Sequence, residues 1–149
     1  MRNYRSLMVV SLFVGLCFVC SLVYGGNKRV CDTVCKMASV KNGVRQISYN
    51  QFMKIRNSGE KYTLLDVLSA DSYQEGHIEG SLSIPFDTIN AETAGKALLK
   101  DYPVVVYCAG FKCSASTSAA AALTKLGYNA LDYKGGLQEW QKKGNKLVK

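Results

Sequence analysis

Val104-Val105-Val106-Tyr107-Cys108-Ala109-Gly110-Phe111-Lys112-Cys113-Ser114, running directly into an alanine-rich segment, decides the fold. The β-branched run and Tyr107 behind Pro103 read as a buried strand. From Ser114 to Leu126 a helix is expected, with Ala115, Ala119, Ala122, Leu123 and Leu126 on one face. Cys108 therefore sits at a strand-to-helix turn. In an open α/β sheet that turn lies at the carboxyl edge, where ligands bind, and the intervening backbone can aim successive N–H groups inward. Such a cradle, beside the positive end of a helix, favours a thiolate or a bound oxyanion, so Cys108 is expected to be acidic and nucleophilic.

Outward from this stretch, strands and helices alternate. Val44 to Ile47 reads as a strand, and Ser48 with Gln51 forms a capping box for a helix burying Phe52, Met53 and Ile55. Tyr62 to Leu68, containing Asp66, is too continuously apolar for a sheet exposed on one face. Ser69 or Asp71 caps a short helix to Glu75, the turn Gly76-His77-Ile78-Glu79-Gly80 follows, and Leu82 to Ile84 is a brief strand before Pro85. A helix from Ala91 to Lys100, weakened by Gly95, precedes the core strand. Beyond the alanine-rich helix, Gly127 is its C′ residue, Asn129 to Tyr133 the last strand, Gly135-Gly136 a turn, and Leu137 to Lys143 a helix burying Trp140. The pattern predicts a single α/β domain with a mainly parallel sheet and helices on both faces.

At 149 residues with 48% hydrophobic content, the chain supports one core and is too short for two. Residues 1–25 stand apart from it: Arg2 and Arg5 precede an uncharged run to Asn27, which reads as an export signal cleaved near Gly25 or as an N-terminal anchor. A periplasmic or secreted location follows, with membrane contact only if the segment is retained. Residues 26–43 form a cysteine-containing extension and 44–149 the domain. Arg2 and Arg5 carry two of the eight net positive charges, leaving +6 on the remainder. Lys142, Lys143, Lys146 and Lys149 lack interleaved aromatics, which excludes nucleic acid as the expected partner and leaves attraction of small anions. Cys31 and Cys35 would face the same side of a helix one turn apart. A structural disulfide is the leading expectation, with free or redox-active thiols next and a metal site last, since no further ligand completes a set.

Three patches together resemble the rhodanese-like sulfurtransferase family over about residues 44 to 144. They are Leu64-Leu65-Asp66-Val67 with Tyr73 through Pro85, Val105-Val106-Tyr107-Cys108 with the loop to Ser114, and Tyr128 through Gly136 with Trp140. The resemblance implies a cofactor-free persulfide cycle. Cys108 takes the outer sulfur of thiosulfate, polysulfide or a persulfide and delivers it to a thiol acceptor, with Ala109, Gly110, Phe111, Lys112, Cys113 and Ser114 as the binding loop. Ala109 stands where many members carry arginine, as do Cys113 and Leu68, so the donor-binding charge rests on Lys112.

The remaining candidates keep more than one reading. Cys113 is a packing residue, a resolving thiol for Cys108 or a second sulfur relay. His77, the only histidine, is expected to shape its turn and so support the cysteine loop rather than act as a base. Asp66 is expected to brace the cysteine loop by accepting backbone N–H bonds, with closure of a buried network as its other reading, and Ser114 to cap the helix. Phe111 is either a wall of the substrate mouth or a cover for Cys108. Two other functions compete: thiol–disulfide exchange through Cys108 and Cys113, and a non-catalytic binding domain. The oligomeric state is left open by the sequence.

Overall fold

A six-stranded sheet, ordered β1-β2-β6-β5-β3-β4, organises the computed structural model, which describes residues 29–149. The proposed leader, residues 1–25, lies outside the described residues. At the centre, β5 (Val104–Tyr107) pairs in parallel with β3 (Thr63–Asp66) on one side and β6 (Ala130–Tyr133) on the other. Next to β6 lies β2 (Val44–Ile47), and next to β3 lies β4 (Ser81–Ser83), both parallel to their neighbours. Alternation along β5 sends Val104 and Val106 to one face and Val105 and Tyr107 to the other, all fully buried. This double burial is why the strand reads as continuously apolar.

The first face is covered by α5 (Ala115–Lys125) through Ala119, Ala120 and Leu123, and by α4 (Ala91–Ala97) through Ala94. The second is covered by α1 (Val30–Met37), α2 (Tyr49–Arg56) and α6 (Gly136–Lys142), which bring Cys31, Val34, Phe52, Ile55 and Trp140 against Tyr107 and Tyr133. A short α3 (Ala70–Glu75) connects β3 to β4. Alanines on α5 let its backbone approach the sheet closely, so a large residue there would have to displace β5. Among the described residues, no helix is long and apolar enough to cross a membrane.

The capping box at Ser48 forms with both reciprocal bonds, and Gly127 ends α5 at φ +87°. The helix expected to reach Lys100 stops at Ala97, with Leu98 turning extended and burying its side chain. One element was not expected: β1 (Ser39–Lys41), an exposed edge strand antiparallel to β2. Its turn is Asn42-Gly43, with φ of +52° and +75°, the conformation a two-residue hairpin turn requires. That dipeptide was the available signal. Through α1 and β1, residues 30–41 share the core and the sheet of the domain that follows.

Candidate active site

Cys108 follows the carboxyl end of β5, and its loop is held from two directions. The first turn of α6 lies against it: Leu137 N–H donates to the Cys108 carbonyl at 3.0 Å and Gln138 N–H to the Ala109 carbonyl at 2.9 Å. The amide of Ser116 is directed to the Cys108 sulfur and those of Ala109 and Ala115 to the Cys113 sulfur. The approach of α6 is close enough to demand glycine. A Cβ at Gly136, whose φ is +52°, would stand 2.1 Å from the Cys108 carbonyl oxygen, and one at Gly110 would stand 2.7 Å from Gln138. Inside the loop, Cys113 N–H donates to the Gly110 carbonyl at 2.9 Å.

The Cys108 side chain is only 1% exposed, and its Sγ lies 3.3 Å from Ser116 Oγ and 3.6 Å from the Cys113 carbonyl. Its acidity departs from expectation. Burial, followed by the neighbouring Cys113 thiol, pushes the Cys108 thiol above the ordinary cysteine value, and the Ser116 hydroxyl and amide offset this only in part. Cys113 is the acidic member of the pair. Burial opposes its ionisation, but the Cys108 thiol, the amides of Ala115 and Ala109 and the Lys134 ammonium together hold it below the ordinary value. Both cysteines are free thiols.

Lys134 is the cation that touches the loop, and sequence reasoning missed it. Its Nζ donates to the Cys113 carbonyl and reaches Thr117 Oγ1 at 3.3 Å. Thr117 in turn donates to Asp132 Oδ2 at 2.7 Å, which also accepts from Gln46 Nε2 at 3.1 Å. Asp132 is fully buried in an otherwise apolar strand, and that lone carboxylate was the signal for a polar network behind the loop. Lys112, by contrast, stands exposed at the loop tip beside Phe111, which is 55% exposed. Phe111, Ser114, Thr117, Ser118 and Lys134 form one side of a cleft of about 690 Å³ whose other side is the β1–β2 hairpin.

Several expected roles change. Asp66 does not brace the cysteine loop: its Oδ1 accepts from Leu68 N–H, two residues on, at 2.8 Å, closing the turn after β3. Burial, chiefly, raises its carboxyl above the usual range. His77 does not support the loop either, because it precedes β4 at the amino edge while Cys108 follows β5 at the carboxyl edge. There its ring stacks on Tyr73 at 3.8 Å, its Nδ1 lies 3.0 Å from the Tyr73 carbonyl, and its backbone bridges to Val148. Ser114 occupies the position before α5 but makes no capping bond, since its backbone is already helical and its hydroxyl faces the cleft. Cys31 and Cys35 are free thiols 3.6 Å apart, not bridged. Among the described residues, no cluster of three or more histidine, cysteine or acidic side chains is placed to hold a metal.

The family model of the rhodanese-like domain matches residues 48–143. A mitochondrial protein of Schizosaccharomyces pombe, provisionally named a thiosulfate sulfurtransferase, is 35% identical over 67% of this chain and 82% of its own length. A thiosulfate sulfurtransferase of Escherichia coli, PspE, is 29% identical over 50% and 70% respectively. A helix-turn-helix-type transcriptional regulator of Mycobacterium tuberculosis is 32% identical over 66% of this chain, which spans 42% of that protein. Among solved structures, a Bacillus halodurans protein superposes with a TM-score of 0.63 at 31% identity, over 69% of this chain and 75% of that one. The rhodanese-like domain of an Anabaena protein does so with 0.61 at 26%, over 69% and 77%. With the cysteine loop at the end of its central strand and a family match over most of its described length, the chain belongs to the rhodanese-like domain family.

Proposed function

We propose that this chain is a sulfurtransferase that carries sulfane sulfur as a persulfide on Cys108. The observation that supports it most is the loop itself: a cysteine between the end of β5 and the start of α5, with carbonyls tied to α6 and the amides of Ala109, Ala115 and Ser116 directed to its two sulfurs. A thiolate formed there attacks the outer sulfur of thiosulfate, forming the S–S bond of Cys108–S–S⁻ and expelling sulfite with the electron pair of the broken bond. An acceptor thiolate then attacks that outer sulfur, leaving as R–S–S⁻ and restoring Cys108 thiolate. Both persulfide and donor are anions, so amides and the helix end stabilise what develops in each step. Lys134 supplies the charge that Lys112 was expected to bring.

Because burial favours the protonated form of Cys108, the first step needs a proton acceptor, and the Cys113 sulfur hydrogen-bonded to it is the group placed to take the proton. That same depressed Cys113 favours a second reading, thiol–disulfide exchange through Cys108 and Cys113. An exported or N-terminally anchored form is part of the proposal, resting on the uncharged run after Arg5.

Intact mass and peptide mapping after treatment with thiosulfate or polysulfide test these readings together. The persulfide reading requires one or more added sulfur atoms on the Cys108 peptide, and Cys108→Ser should abolish turnover while leaving thermal stability nearly unchanged. Loss of two hydrogens across Cys108 and Cys113, with no sulfur gain, would establish the exchange reading instead.

A further inference from the structure

The second pair of thiols lies at the amino edge of the sheet, opposite Cys108, and nothing in sulfur transfer uses it. Spacing by four residues on α1 places Cys31 and Cys35 on one helical side, with their Sγ atoms 3.6 Å apart. The helix is fixed in place: Val30 and Cys31 N–H groups donate to the Glu60 carboxylate at 2.5 and 3.1 Å, and Val34 packs into the core. The two sulfurs are unequal. Cys31 is 5% exposed among Phe52, Ile55 and Val34, whereas Cys35 is half-buried.

Cys35 also has a donor aimed at it. Cys35 Sγ lies 3.6 Å from Asn129 Nδ2 and 3.7 Å from Asn129 Oδ1, and Arg45 Nη2 donates to that oxygen at 2.6 Å, which leaves the Nδ2 group to serve the sulfur. A donor held on a sulfur by an arginine serves a thiolate. Bordered by Cys31 and by Asn129, the residue bonded to Cys35, lies a cleft of about 240 Å³ whose lining includes Arg29, Lys61 and Lys100 as well as Asp32, Glu60 and Asp101. Arg29 and Asp32 pair with each other at 3.6 Å and Glu60 holds the start of α1, which leaves Lys61, Lys100 and Asp101 to meet a small ligand that carries both charges, as the two amino-acid ends of a cystine-type disulfide do.

We propose that Cys31 and Cys35 form a dithiol–disulfide couple that reduces low-molecular-weight zwitterionic disulfides, with Cys35 attacking and Cys31 resolving. Cys35 thiolate attacks one sulfur of R–S–S–R, forming a Cys35–S–S–R bond and expelling RS⁻, which takes a proton. Cys31 then loses its proton and attacks the Cys35 sulfur, forming the Cys31–Cys35 bond and expelling the second RS⁻. The protein dithiol is oxidised by two electrons and the substrate is reduced to two thiols.

The electrostatics agree with this division. The hydrogen bond with Cys31, then the Asn129 amide and the Arg45 charge, lower the Cys35 thiol to about 6 against the opposing effect of burial. The bond with Cys35, burial and nearby carboxylates raise Cys31. Residues four apart on a helix have Cα atoms about 6 Å apart, within disulfide reach but at its long end, so the bridge would be readily reduced again.

The test uses the reduced full-length chain with Cys17, Cys20, Cys108 and Cys113 each changed to Ser, so that only Cys31 and Cys35 remain, challenged with cystine at pH 6 and followed by peptide mapping. The expected result is a Cys31–Cys35 bridge with two cysteines released, at a rate about tenfold above that of free cysteine. Cys31→Ala should stop at half-cystine on Cys35. Should that variant misfold, early time points on the parent chain show the same adduct before the bridge closes. Half-cystine on Cys31 in place of Cys35, no 31–35 bridge, or a rate no faster than free cysteine each overturns the proposal. Sulfur loading of Cys108 is measured separately on the parent chain, so either reading can fail alone.

Discussion

Each edge of the sheet carries two cysteines, and in each pair one thiol is buried and held protonated while the other is half-buried and more acidic. The means differ. Among the acidifying groups the hydrogen bond between the two thiols leads in both pairs; after it, at the carboxyl edge, come backbone amides in a loop clamped by α6, with Lys134 behind them. At the amino edge come a side-chain amide and an arginine acting on a rigid helix. Backbone donors lie around a volume that a second sulfur and a bound anion can share. A single side-chain donor serves one sulfur atom. The first arrangement suits a group that grows and shrinks during turnover, and the second suits a fixed pair that opens and closes.

This contrast breaks most severely if the loop does not depend on its clamp. Gly136→Ala drives a methyl into the Cys108 carbonyl and forces a left-handed backbone on a residue with a side chain. We expect about 2–4 kcal/mol lost in stability and about a hundredfold lower kcat/KM for sulfur transfer, with cystine reactivity at Cys35 unchanged. Chemical denaturation and donor kinetics check both, and equal damage at the two edges would show that α6 merely holds the fold.

A smaller effect separates the loop's charge from its amides. Lys134→Gln keeps a donor toward the Cys113 carbonyl but removes the cation. It should raise the KM for thiosulfate about five- to tenfold and change polysulfide turnover less than about twofold. Steady-state comparison of the two donors decides it, and an equal loss with both would assign Lys134 to loop structure alone.

The smallest expected change is in a rate that should scarcely move. With its thiol near 6, Cys35 is already ionised at neutral pH, so its alkylation should vary less than about twofold between pH 7 and 9. Cys108, held above the ordinary value, should instead climb about tenfold per pH unit over that range, because only its thiolate reacts. Quantitative peptide mapping of alkylated protein reads both at once.

What the sequence shows about these edges follows from how far apart the interacting residues lie. The Ser48–Gln51 capping box, the Gly127 stop and the strands flanking Cys108 rest on bonds within a few residues or on simple alternation, and these were legible. The chain from Lys134 through Thr117 to Asp132 joins residues 15 to 17 positions apart across a parallel crossover, and no local pattern encodes it. Asp66 misled for a related reason. A carboxylate at a strand end looks alike whether it closes its own turn or reaches a neighbour's loop, and only the bond to Leu68 tells them apart. The acidity of Cys108 was likewise misjudged, since position at a helix start is visible in sequence but depth of burial is not.

Past α6 the chain runs back to the turn before β4. Asn145 bonds to the Tyr49 hydroxyl, Leu147 packs against Gly76, and Val148 exchanges both backbone bonds with His77. In the course of this, the Lys146 carbonyl accepts the indole N–H of Trp140 at 3.0 Å. Trp140 is the sole tryptophan of the chain. Its fluorescence therefore responds, besides to its core packing against Phe52 and Tyr49, to the docking of residues 145–148. Peeling that strap away exposes the indole to water and shifts its emission to the red, which gives the protein a built-in optical reporter of its own terminus.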